Sequence, residues 1–208
     1  MQNLEGVCAV VSGAAGEVGS QVIRGLAERG ASILAVDASE EMVEEAIAKL
    51  GLDSPDEIFV SALEGRDVVS WWDLANLVGS YFKTLNLFVH IAEPCPAESA
   101  RTLSVESLRQ AQTNSTESFL HAMARFEKML VTASQEDEIG ACVVAVPTLC
   151  ASSSGMNAPD AISYAGTVAL ADAMAQEYSE SGLNIRVKAL PTFGDNARVT
   201  AKEILDLI

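Results

Sequence analysis

Val11-Ser12-Gly13-Ala14-Ala15-Gly16-Glu17-Val18-Gly19 is the stretch on which the fold turns. It follows a short aliphatic run, Val7–Val11, that reads as a strand. It leads into Glu17–Arg29, which sets Val18, Val22 and Leu26 on one helical face and stops at Gly30. A glycine-rich turn between a strand and a helix lets backbone approach a pyrophosphate, and the free N–H groups of the helix start face that anion. A second aliphatic run, Ile33–Val36, ends at Asp37. A carboxylate there accepts hydrogen bonds from the ribose hydroxyls of an adenosine and repels a 2′-phosphate, which favours NAD over NADP.

The same alternation continues outward from this unit. Ser39 caps a helix running to Leu50, with Glu40 and Glu41 at its positive end and Lys49 at its negative end. Ile58–Val60 reads as a weaker third strand. Val68–Phe82 reads as a helix with Trp71 and Trp72 partly buried, and Leu85–Ile91 as a fourth strand. Ser104 caps a long helix through about Leu130. Ala141–Val146 is a fifth strand, Ser163–Glu180 a helix, Asn184–Leu190 a sixth strand and Ala201–Ile208 a short last helix. Strand–helix alternation implies right-handed crossovers and a parallel sheet. The expected class is α/β: one Rossmann-type, doubly wound domain over residues 1–208, with about six strands in the order 3-2-1-4-5-6. Helices cover both faces, there is no seventh strand, and a ligand crevice lies at the carboxyl ends of strands one and four.

Composition agrees. Of 208 residues, 49% are hydrophobic but only 5% aromatic, so aliphatic side chains fill the interior, as buried parallel strands require. The formal net charge of −16 opposes binding to nucleic acid and anionic membranes. No apolar run approaches a membrane span, and Met1-Gln2-Asn3-Leu4-Glu5 lacks the basic, apolar character of a signal peptide, which points to the cytoplasm. Cys8, Cys95, Cys142 and Cys150 form no CxxC pair. Cys8 and Cys142 read as buried thiols, and Cys95 and Cys150 fall after strands that bring them into one neighbourhood. No ligand spacing supports a metal site, and His90 and His121 are too isolated for one.

The run Val11–Asp37 resembles the start of a short-chain dehydrogenase/reductase. The family's usual TGxxxGxG is matched at Gly13 and Gly19, with Glu17 in place of the middle glycine. Its GxxGxxG variant is matched fully by Gly13, Gly16 and Gly19. Leu85-Asn86-Leu87-Phe88-Val89 is similar to the family's fourth strand, but the usual Asn-Asn-Ala-Gly ending is here His90-Ile91-Ala92-Glu93, so only Ala92 agrees. Asn114 stands where the family keeps an asparagine for a proton-relay water. Tyr164 stands where it keeps the catalytic tyrosine, at the opening of the helix after strand five. Asn184-Ile185-Arg186-Val187 is similar to its sixth strand.

Three departures bear on activity. In YxxxK the lysine holds the nicotinamide ribose and makes the tyrosine a better acid; here the position is Val168. The catalytic serine has two candidates: alignment on strand five gives Thr148, and counting back from Tyr164 gives Ser152. The run Ser152-Ser153-Ser154-Gly155 also reads as a flexible loop. After strand six the family has a substrate-covering insertion, a helix and a seventh strand, whereas Asp195 leads almost directly into the last helix, which implies that lid and strand are missing. Glu17 and Glu93 put carboxylates beside the crevice; Glu17, in a first helical turn, either partly occupies the anion site itself or points to solvent, as variable residues of GxxGxxG loops do. Lys188, at the end of strand six, reads as a surface residue, with a role as substitute for the missing lysine as the alternative.

Two readings of function follow from the resemblance. One is an NAD-dependent oxidoreductase acting on a small carbonyl or alcohol. In it Tyr164 donates the proton, Ser152 or Thr148 polarises the carbonyl and Asn114 orders a water. Gly13, Gly16, Val18, Gly19 and Asp37 hold the cofactor, and Ala92 lines the crevice. The other is a non-catalytic relative, with or without bound cofactor, that senses a dinucleotide or serves as partner subunit to an active enzyme. In either, the helices carrying Asn114 and Tyr164 are the expected homo- or hetero-oligomer contact, the second of them alanine-rich at Ala165, Ala169, Ala171, Ala173 and Ala175.

Overall fold

Alternating burial along each central strand divides the interior into two cores. In the computed structural model, which describes residues 3–52, 57–63, 65–93, 95–96, 98–149, 151–152, 155–193 and 197–208, β1 (Cys8–Ser12) turns Ala9 and Val11 to one face and Val10 to the other. β2 (Ser32–Asp37) does the same with Ile33 and Ala35 against Leu34 and Val36, as a pleated strand covered on both sides must. The strands β3 (Ile58–Ala62), β4 (Leu87–Ile91), β5 (Ala141–Val146) and β9 (Ile185–Ala189) complete a parallel sheet in the order β3-β2-β1-β4-β5-β9. This is the expected 3-2-1-4-5-6 order, and it puts the crevice where strand order reverses, between β1 and β4.

Helices α1 (Glu17–Ala27), α2 (Glu40–Ala48) and α7 (Ala197–Leu205) close one core through Val22, Leu26, Val43 and Ile204. The other is closed by α3 (Val68–Tyr81), α5 (Ser118–Glu136) and α6 (Ala158–Glu180), with Trp71, Phe88 and Phe126 packed edge to face. Ser39 caps α2 as expected, accepting the Met42 N–H at 3.3 Å, and Ser104 caps α4 (Val105–Gln112) by accepting the Ser107 N–H at 3.0 Å. None of the described helices is long and apolar enough to cross a membrane.

Four expectations change. Trp71 is wholly buried but Trp72 is 52% exposed: neighbours on a helix point about 100° apart, so only one of a pair can face the core. The long helix after Ser104 is interrupted by a π turn, Thr113–Glu117, and runs on to Glu136. The tyrosine-bearing helix begins at Ala158, so Tyr164 lies in its second turn. The last helix starts at Ala197 and ends at Leu205. Short strands flank the sheet's carboxyl edge: β6 (Thr148–Leu149) pairs with β10 (Thr192–Phe193), and β7 (Ala151–Ser152) with β8 (Gly155–Met156). Cys150, Ser153, Ser154 and Asp195 lie outside the described residues.

The turn after β1 is set by backbone. The Gly13 and Ala14 N–H groups both donate to the Val36 carbonyl, at 3.0 and 3.1 Å. Gly13 has φ +79°, and a Cβ there would lie 2.8 Å from that of Ile91. A Cβ on Gly19 would strike the Gly13 carbonyl oxygen, whereas one on Gly16 would meet it at 3.4 Å, ordinary contact. Gly19→Ala is therefore expected to cost about 1–3 kcal/mol in urea unfolding, as overpacking does, and Gly16→Ala less than about 1 kcal/mol.

Candidate functional site

The crevice begins at the glycine turn. No side chain caps α1, whose N-cap is Gly16, so the N–H groups of Glu17, Val18 and Gly19 open towards the carboxyl edge without a partner among the described residues. Val18 itself is packed in the core and offers the crevice only its amide. Asp37 meets the turn directly: one carboxylate oxygen accepts the Ala15 N–H at 2.9 Å and the other the Ala38 N–H at 2.8 Å. Acid and helix start thus share one cleft, as the spacing implied. Glu17 does not fill the anion site: it is exposed, and its side chain bonds to none of the turn's amides. This end of the cleft thus offers anion donors from the start of α1 and a carboxylate acceptor at Asp37.

The floor is formed by β1 and β4. Ala92 is buried, and its N–H donates to the Val146 carbonyl at 3.0 Å, tying the end of β4 to β5. Ser12 and His90, paired across β1 and β4, bond through Oγ and Nδ1 at 2.8 Å. The His90 ring is buried, stacked on Phe119 and edge-on to Trp71, with Nε2 facing the Ser115 carbonyl without a bond of good geometry. Burial, then the nearby Arg66 guanidinium, push its pKa down to about 3 against the opposing pull of that carbonyl. His90 is thus a neutral structural ring.

Across the crevice Arg66, from the turn after β3, pairs with Glu93, just beyond β4, at 3.4 Å. The guanidinium is nearly enclosed, its Nη1 without a hydrogen bond, while the Glu93 side chain is about half exposed. Both line a cavity of about 280 Å³ with Ala38, Leu63, Gln110 and Asn114. Nothing in the sequence singled out this pair, because Arg66 follows the weakest strand and its partner is remote in the chain.

Asn114 sits in the π turn, a feature that often marks functional sites. Its Oδ1 accepts from Gln110 Nε2 at 2.7 Å. Hydroxyls lock the turn to α6: Ser115 Oγ and Thr167 Oγ1 are 2.9 Å apart, and Thr116 Oγ1 donates to the Ser163 carbonyl at 3.2 Å. Tyr164 and Asn114, each next in sequence to a bonded residue, are brought onto adjoining helix segments. Tyr164 is half-buried, and its hydroxyl has no hydrogen-bond partner among the described residues. Val168, one turn on, is half-buried and supplies no cation. Lys188 is an exposed residue of β9. The backbone carries Thr148 in β6 and Ser152 in β7, both between β5 and α6.

A second support escaped sequence reading. Buried Asn157 and Asp160, at the start of α6, hold the segment after β4. The Cys95 N–H donates to Asp160 Oδ1 at 3.2 Å. Asn157 Nδ2 donates to Asp160 Oδ2 at 2.9 Å, and Asn157 Oδ1 accepts the Glu98 N–H at 2.9 Å. The Asn157 side chain does not cap α6; it reaches the remote Cys95 and Glu98 backbone, so local spacing carried no signal for it. Cys142 is inert, burial pushing its thiol up to about 11, and Cys8 is raised in the same direction by burial, Asp137 and Glu57. Among the described residues no group of His, Cys, Asp or Glu could hold a metal ion.

The family model described as short chain dehydrogenase matches residues 7–202. No curated protein matches the chain in sequence. Among solved structures, a short chain dehydrogenase from Mycobacterium smegmatis is similar at 18% identity and a TM-score of 0.80, covering 100% of this chain and 88% of that one. An NADPH-bound short chain oxidoreductase from Pseudomonas aeruginosa PAO1, containing an atypical catalytic center, shares 21% identity at a TM-score of 0.78, over 91% of this chain and 72% of its own. The Pseudomonas aeruginosa RhlG/NADP active-site complex shares 17% identity at 0.77, over 90% and 72%. At these identities the likeness is one of fold.

Below about pH 6.5 an unfolded histidine takes up a proton that native His90, with its pKa near 3, refuses. The contribution is therefore intact above pH 6.5 and is lost as pH falls towards 3. Between pH 6.5 and 5 it should amount to about 2 kcal/mol. Chemical denaturation at several pH values should show that slope in the native sequence, and a slope shallower by that amount in His90→Asn.

Proposed function

The chain belongs to the short chain dehydrogenase family, and on that premise we propose that it binds NAD in the crevice between β1 and β4 as an oxidoreductase of small carbonyls or alcohols with a weakened catalytic centre. The observation that carries the reading is the contact of Asp37 with the Ala15 amide, which joins a ribose acceptor to the uncapped start of α1. The Asp37 carboxylate favours a free 2′-hydroxyl and hence NAD, although two of the structural neighbours are NADP(H) complexes. The cofactor, when bound, supplies or takes the hydride.

The chain's own residues do the rest. The Glu17–Gly19 amides and Asp37 bind and orient the dinucleotide, with Gly13 and Gly16 keeping the turn free of side chains and Ala92 forming the floor. The Tyr164 hydroxyl holds the proton exchanged with the substrate oxygen, Thr148 or Ser152 polarises the carbonyl, and Asn114 orders a water. With Val168 one turn beyond Tyr164, no lysine assists proton transfer, so turnover is slow.

Val168 also favours a second reading: a dinucleotide-binding partner subunit or sensor that does not turn over. Ile162 is 41% exposed on α6, and Ala165, Ala169 and Ala173 are exposed at four-residue spacing behind it. Such a stripe suits close approach of a neighbouring helix, as a homo- or hetero-oligomer through α6 and the Asn114 helix requires.

NADH at 100 times its Kd should stabilise the chain by about 2.7 kcal/mol in thermal unfolding, and Asp37→Ala should remove that gain. A flat melt with millimolar NAD and NADH rules out both dinucleotide readings; a shift without turnover of any carbonyl leaves the sensor or partner. Ala169→Arg should shift the sedimentation coefficient towards that of the monomer.

A further inference from the structure

The Arg66–Glu93 pair joins two strand ends that are not neighbours. In the sheet β3 and β4 are separated by β2 and β1, roughly 14 Å at the ~4.8 Å spacing of adjacent strands. An arginine reaching from one side and a glutamate from the other close that gap over the carboxyl ends of β1 and β2, at 3.4 Å. The cavity they line begins at Ala38, the residue after the ribose acceptor Asp37. The bridge therefore lies over the region where the adenosine end of a dinucleotide extends beyond its ribose.

The pair is poorly satisfied as it stands. Nη2 meets Glu93 at 3.4 Å, and Nη1 is buried without a hydrogen bond. Glu93 also stands where the resemblance gives the family a glycine, so both the side chain and its charge are this chain's additions to the crevice. A contact that is weak, placed across the cleft and half exposed on one side has the character of a displaceable bar rather than a core element.

We propose that the Arg66–Glu93 ion pair is a built-in competitor for the adenosine end of the dinucleotide, which must part the two side chains to seat. The inference rests on the dinucleotide reading above, and it makes the pair, not the glycine turn, the feature that limits affinity. The bridge is weakened by shortening its acid: Glu93→Asp retains the charge but sets its carboxylate one methylene further from Arg66.

NADH titrations followed by its fluorescence, on the full chain, test this. Glu93→Asp should bind NADH about fivefold more tightly than the native sequence, the size expected for release of a partly exposed pair. Asp37→Ala should bind it more weakly. Unchanged or weaker binding in Glu93→Asp, with Asp37→Ala weakened, would overturn the bar and leave the dinucleotide reading standing. Tighter binding in Glu93→Asp is support provided Asp37→Ala is weakened too. Binding indifferent to Asp37→Ala, or NADH bound by none of the three proteins, would overturn both.

Discussion

The approach of the first helix to the first strand is the constraint on which everything else depends. Gly19 lies so close to the Gly13 carbonyl that no side chain fits between, and the Gly13 and Ala14 amides are spent on the Val36 carbonyl of the neighbouring strand. With the turn so held, the Glu17, Val18 and Gly19 amides have no acceptor among the described residues and face outward over the sheet edge. The Asp37 carboxylate then closes on the Ala15 amide. A shift of α1 by the width of one methyl group would break this arrangement, since packed interiors do not deform continuously.

Around that fixed end, the chain replaces polar machinery by packing. Where the family's fourth strand carries asparagines, His90 sits between Trp71 and Phe119 and spends Nδ1 on Ser12. A neutral imidazole in an aromatic cage keeps two strands in register without placing a charge under the crevice. Arg66, whose charge is felt at His90, pairs with Glu93. On the other side, Val168 stands where a cation would assist Tyr164, while Ser115, Thr116 and Thr167 use hydroxyls to hold α6 to the π turn. At the glycine-turn end the crevice keeps its open α1 amides and the Asp37 carboxylate. Around Tyr164 the helix segments are locked together by hydroxyls, and Val168 brings no cation.

The alternation of aliphatic runs with amphipathic segments sufficed for strand order, the two-sided core and the glycine turn. Gly13, Gly19 and Asp37 were legible because each answers a local backbone demand. Element edges moved by a few residues, and α6 moved most: it opens on Ala158-Pro159-Asp160, with proline in the first turn and no apolar periodicity to mark it. Trp72 was misjudged because two adjacent tryptophans look alike in sequence, and only the packing of α3 on α5 chooses which one enters the core.

Local covalent chemistry and short-range pattern therefore settled where the chain turns, which runs form the buried strands, and which acid faces the start of α1. What required the folded chain were meetings between residues far apart in sequence: Arg66 with Glu93, Ser12 with His90, Asn157 and Asp160 with the segment after β4. Periodicity reports which face of one element is apolar. It carries no information on which of many charged or polar side chains at the sheet's edge lie within 3–4 Å of each other, because that distance is fixed by the crossing of separate strands and helices.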